Sequence, residues 1–128
     1  MTVRTYPLSA TDILDFKPRY IHLKSYYFIR KNADVVARAG DAYSFVAPTG
    51  KTVLIGGLLP TRCLWALVDE EAARPYILSI VREVRRMLQT GGPGIYAEIN
   101  ERDAKAVRLA RALGFEKGAG DKWYAPVL

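Results

Sequence analysis

Residues 95–100 set potential chemistry in a row. Ile95, Ala97 and Ile99 alternate with Tyr96, Glu98 and Asn100, the period of two that gives a strand one apolar face and one face bearing a phenol, a carboxylate and an amide. A carboxylate in such a row can take up a proton and a phenol can give one up. The other reactive groups are few. Cys63 is the single cysteine, so no internal disulfide can form, and with His22 as the single histidine no Cys/His metal cluster can be built. Cys63 lies in an apolar stretch without a paired histidine and reads as packing rather than as a nucleophile. His22 with Tyr26, Tyr27 and Phe28 reads either as one wall of a cleft, with a group that titrates near neutral pH, or as core packing beside a surface histidine.

A helix must follow this row and position it. Asn100 and Asp103 both suit an N-cap, Ala106, Val107, Leu109, Ala110 and Leu113 build an apolar stripe, and Lys105, Arg108 and Arg111 point the other way. Gly114 stops the helix in the left-handed conformation, and Phe115 folds back on its last turn. Upstream, residues 2–6 read as a strand and Ser9 or Thr11 caps a short helix that Pro18 closes. Residues 20–39 read as a second helix ending at Gly40. The turns 48–51 and 60–61 then separate three strands, 42–47, 52–59 and 63–68. The last of these is almost wholly apolar, which predicts a central strand buried on both faces. Gly56 and Gly57 predict a bulge or a close backbone approach in the middle strand.

Asp69, Glu70 and Glu71 suit a helix start. From Pro75 onward Ile77, Ile80, Val81, Val84, Met87 and Leu88 keep helical spacing, and the glycines of 91–94 end that helix. Residues 115–117 and 122–127 pair as a terminal hairpin around a turn at 118–121.

A chain of 128 residues, half of them hydrophobic and a quarter charged, suits one folded domain rather than two or a disordered segment. No apolar run reaches ~18 residues and the first twenty lack a signal-peptide pattern, so the expected location is intracellular. The formal charge of +6 favours acidic partners. Its residues are scattered, and Arg82, Arg85 and Arg86 on one helix with Arg102, Lys105, Arg108 and Arg111 on another read as solvated faces rather than as a nucleic-acid surface.

The order strand, two helices, three strands, helix, strand, helix, two strands, together with Asp103, Ala106, Leu109, Ala110, Gly114 and Phe115, resembles the GNAT superfamily of acyl-CoA-dependent N-acyltransferases. The resemblance implies a single α/β domain over residues 1–128, with a twisted, mostly antiparallel sheet of about six to seven strands and about four flanking helices. It implies a V-shaped gap between strands 63–68 and 95–100, with acetyl-CoA lying in it. Leu67 and Val68 would hold the pantetheine arm there, Arg74 would stand near the pyrophosphate, and Asn100 and Asp103 would also bind the cofactor. Glu98 would be either the base that deprotonates a small-molecule or peptide amine or an outward-facing surface carboxylate, and the donor to the leaving thiolate would be Tyr124, Tyr96 or water.

The chain departs from the family pattern at three places. Asp103 stands where Asn is usual, Ala110 where the family often carries its catalytic tyrosine, and no glycine lies between Val68 and Tyr76, where Asp69, Glu70 and Glu71 bring negative charge instead. The region from Ile55 to Val68, with the short overall length, also resembles GNAT-like proteins of tailed phages. That resemblance implies an alternative, a non-catalytic binding or assembly module in a virion with a protein partner. Neither reading requires a membrane, and the transferase reading implies the cytoplasm.

Overall fold

A computed structural model describes residues 2–16, 29–38 and 41–126. His22, Tyr26, Tyr27 and Phe28, the greater part of the expected helix 20–39, and its stop at Gly40 lie outside the described residues.

A seven-stranded sheet organises the chain, in the order β1-β2-β3-β4-β5-β7-β6. Its strands are β1 (Arg4–Pro7), β2 (Asp41–Val46), β3 (Thr52–Leu58), β4 (Cys63–Val68), β5 (Tyr96–Glu98), β6 (Glu116–Lys117) and β7 (Lys122–Tyr124). Every neighbouring pair is antiparallel except β4 and β5. That one parallel pair follows from the long connection between the two strands, because a parallel neighbour requires a crossover and a helix supplies it.

The first half of the crossover is assembled in pieces. Asp69 caps α3 (Glu70–Ala73), its carboxylate accepting from the Ala72 amide at 3.2 Å. Pro75 then imposes a 3₁₀ turn over Arg74–Tyr76, and α4 (Ile77–Thr90) runs from there without interruption. The proline therefore marks the helix start that the sequence predicts, displaced by two residues.

Two layers of helices cover the sheet. On one face α1 (Ala10–Leu14) and α2 (Ala33–Arg38) pack with Leu8, Phe16, Ala42, Ile55 and Leu67. Ser9 and Asp12 hold the start of α1 reciprocally, the Ser9 hydroxyl accepting from the Asp12 amide and the Asp12 carboxylate from the Ser9 amide. On the other face α4 and α5 (Ala104–Ala112) cover Phe45, Leu54, Ala97 and Trp123. Each aliphatic side chain closed off in this way contributes about 1.5–3 kcal/mol. The edge strand β1 is tied to the α4 layer by the Val3 amide, which donates to the buried Ser79 hydroxyl at 2.8 Å.

The end of α5 follows the expected pattern closely. Gly114 takes φ +88°, its amide donates to Arg111 and the Phe115 amide to Ala110, both at 3.0 Å, and Phe115 is buried against Leu113 and Ala110. Asp103, rather than Asn100, is the cap at the other end, accepting from the Ala106 amide at 3.2 Å.

Of the two forms expected at Gly56 and Gly57 the structure shows one, and the expected burial of β4 is corrected. The register shift between β2 and β3 falls at Phe45 and Val46, away from Gly56 and Gly57, which pair regularly. These glycines serve close approach instead, since a Cβ on Gly56 would stand 2.5 Å from the Trp65 carbonyl oxygen and one on Gly57 2.4 Å from that of Asp41. The apolar strand β4 is central, but only Leu67 in it is buried and Ala66 is exposed. Among the described residues no helix is long and apolar enough to cross a membrane.

Candidate functional site at the opening of the sheet

The sheet opens beside β4. Cys63 with Tyr96 and Leu64 with Ala97 are paired across the parallel junction, and beyond Leu64 this edge of β4 has no strand partner among the described residues. Backbone donors and acceptors left along such an edge need partners, and an extended chain bearing amides can supply them as a short strand would.

Register places the polar row beside this opening. Ala97 and Trp123 face the α4 and α5 layer, so Tyr96, Glu98, Lys122 and Tyr124 project from the opposite face, with Cys63 beside Tyr96. The Tyr96 and Tyr124 rings lie 6.4 Å apart and tilted, and the Lys122 ammonium sits 5.0 Å from the centre of the Tyr96 ring. Glu98 is exposed and Tyr124 half-exposed, so both are accessible to a solute. Burial pushes the Cys63 thiol above its ordinary value, and the Glu98 carboxylate adds to the push, while hydrogen bonds from the Glu98 backbone and the Tyr96 side chain act in the other direction. The net result keeps this sulfur a thiol near neutral pH. Glu98 and Tyr124 thus share one accessible face, two residues apart along the strand pair.

The residues expected around the cofactor are distributed differently. Leu67 packs into the α1 and α2 core, while Val68 faces the α4 layer. Arg74 is exposed on the 3₁₀ turn. Asn100 is engaged with its own turn, its side-chain oxygen accepting from the Arg102 amide at 3.0 Å. Asp103 is buried as the α5 cap, its carboxylate accepting from the Ala106 amide.

The mouth of the opening is spanned by charge. Glu70, the first residue of α3, is ion-paired with Lys105 in the first turn of α5, and Lys51 pairs with the Asp69 cap at 3.4 Å. Two carboxylates at this helix start, with the nearby lysines already engaged, place unfavourable charge before an anion here.

Arg62 positions this opening and has no counterpart in the sequence reading. At φ +75° it is the one non-glycine residue with positive φ among those described. From the turn before β4 its guanidinium donates to the carbonyls of Gly91 and Pro93, and the Tyr96 amide donates to its own carbonyl at 3.1 Å. It therefore staples the end of α4 and the start of β5 to the base of β4, and fixes where the two strands begin to part. An arginine after Pro60 and Thr61 gives no hint of this in sequence, since the bonds reach residues about thirty positions away.

On the α4 face, a cavity of about 180 Å³ lies under the same strand. Phe45, Leu54, Leu64, Ala66, Met87 and Leu113 are among its walls. Comparison of the chain with models of protein families, with curated proteins and with solved structures finds no match to any of them.

Proposed function

We propose that this chain is a GNAT-like domain that transfers an acyl group from a thioester to an amine at the opening between β4 and β5. The observation that carries the reading is the single parallel strand pair, which parts after two residue pairs with Glu98 and Tyr124 on the adjoining face. The order of elements and the α5 stop at Gly114 support it further.

In this reading the unpaired edge of β4 receives the pantetheine arm. Glu98 accepts a proton from the incoming amine as its nitrogen attacks the thioester carbonyl carbon. Tyr124 gives a proton to the departing sulfur, so that a C–N bond forms, the C–S bond breaks and a free thiol leaves. Calorimetric titration with acetyl-CoA tests the reading. Binding tighter than about 100 μM, roughly −5.5 kcal/mol, is expected of a transferase.

A second reading has its own observation. The Glu70–Lys105 pair and the Asp69 cap stand where a pyrophosphate would bind, which favours a domain that keeps the fold as a binding or assembly module. Absence of thioester binding, with no amide formed from any amine offered, would select this reading.

A further inference from the structure

The cavity on the α4 face is the least explained feature of the core. Tyr43, Gly56 and Ala66 form one row across β2, β3 and β4, and at Gly56 and Ala66 this row offers almost no side chain to fill the space below Met87 and Val84 of α4. Gly56 cannot carry a larger side chain because of the Trp65 carbonyl, so the space above it is left to Ala66, where a longer side chain would fill it. Its walls are apolar almost throughout, with Asp41 and Thr90 among the few polar residues on them. A space of that character holds carbon rather than water.

Size and place narrow what it would hold. An engineered apolar cavity of roughly 150 Å³ accommodates benzene. The 180 Å³ here therefore suits an apolar group of about six to eight carbons. The walls include Leu64, the last β4 residue with a β5 partner, and Trp65 and Ala66, the first two without one. The exposed Ala66 connects this space to solvent at the point where the sheet opens. An acyl group whose carbonyl carbon lies at the opening can run under α4, away from Glu98, and leave the opposite face free for the amine.

We propose that this cavity is an acyl-chain site and that the donor carries a medium-length acyl group rather than an acetyl group. The inference rests on the transferase reading for the identity of the donor, but the cavity and its occupant can be tested separately. The products would be an N-acyl amide of that chain length and the free thiol.

The experiment is calorimetric titration of the intact chain with octanoyl-CoA, acetyl-CoA and sodium octanoate, repeated on Ala66→Leu, with Met87→Phe as a second variant that fills the space from the opposite wall. Circular dichroism and a thermal midpoint check that each variant is folded. Octanoyl-CoA binding at least tenfold tighter than acetyl-CoA, with that advantage lost in either folded variant, is the expected result. Equal affinity for the two thioesters, unchanged in both variants, would overturn the acyl-chain site and leave the transferase reading standing. Binding of octanoate alone, abolished by filling the space, would keep the cavity as a site for an acyl chain and remove the thioester donor. No binding of any of the three would overturn both.

Discussion

β3 and β4 lie side by side at the centre of the sheet and are almost equally apolar, but they meet different surroundings. In β3 the residues from Val53 to Gly57 are all buried, whereas in β4 only Leu67 is. Composition does not account for the difference. β3 has a full-length partner on each side and helices over both faces, so its side chains are sealed by neighbours. β4 loses its partner after Leu64 and borders an unfilled cavity on the α4 face. An apolar strand left open in this way has kept surface that burial would otherwise have used for stability, and such surface is where a ligand gains most.

The largest expected effect tests whether the open strand borders a working site. Glu98→Gln keeps shape and polarity but removes the proton acceptor, so turnover with a thioester and an amine should fall by ~10²–10⁴-fold with an unchanged thermal midpoint. Thiol release measured on matched preparations reads this directly, and full activity in the variant would take Glu98 out of the mechanism. Next comes the closed strand. Ile55 is fully buried, so Ile55→Ala should cost about 2–5 kcal/mol in urea unfolding. Leu64→Ala, on the half-buried start of β4, should cost less, about 1–2 kcal/mol, because part of that side chain is already in contact with solvent. Equal losses at the two positions would erase the contrast.

A smaller effect concerns the charged mouth. Glu70→Gln removes a carboxylate from the α3 start and frees the Lys105 ammonium, so acetyl-CoA should bind about three- to tenfold tighter. Both side chains of this pair are partly exposed, so stability should change by less than about 1 kcal/mol. Unchanged affinity would mean that the nucleotide end of the donor never approaches α3.

Local chemistry made much of this architecture legible in the sequence. Gly114 and Phe115 announce their own stop, Asp103 its cap, and Pro48 to Lys51 the turn between β2 and β3, because each depends on residues within a few positions of itself. The α4 stripe is equally plain, since its periodicity repeats over four turns. What stayed hidden depends on distance in the chain. The Glu70–Lys105 pair joins two helix starts that no local pattern links, and Arg62 carries its strained backbone for the sake of carbonyls beyond the end of α4. The burial of β4 was misread for the same reason, because an apolar run states what a strand could bury and says nothing of a partner that ends early. For the candidate site, alternation alone put Glu98 on the same face as Tyr96, but only the register of β5 with β7 brings Lys122 and Tyr124 beside them.

The smallest predicted effect reads that same face without any substrate. Burial and the Glu98 carboxylate both hold the Cys63 thiol above its ordinary value, so alkylation of this single cysteine in the folded chain should be slower near pH 8 than that of a free thiol. Reactivity should climb as pH rises through the raised value, because the thiolate is the attacking species. Glu98→Gln removes the second of the two causes and leaves burial in place, which lowers the thiol only part of the way. Alkylation should then speed up by a few-fold at pH 8, and the variant and parent should converge at high pH, where both sulfurs are ionised. Mass spectrometry of iodoacetamide-treated samples over a pH series measures both curves. Identical curves would mean that the Glu98 charge does not reach Cys63, and would separate the carboxylate from the base of the opening where β4 and β5 part.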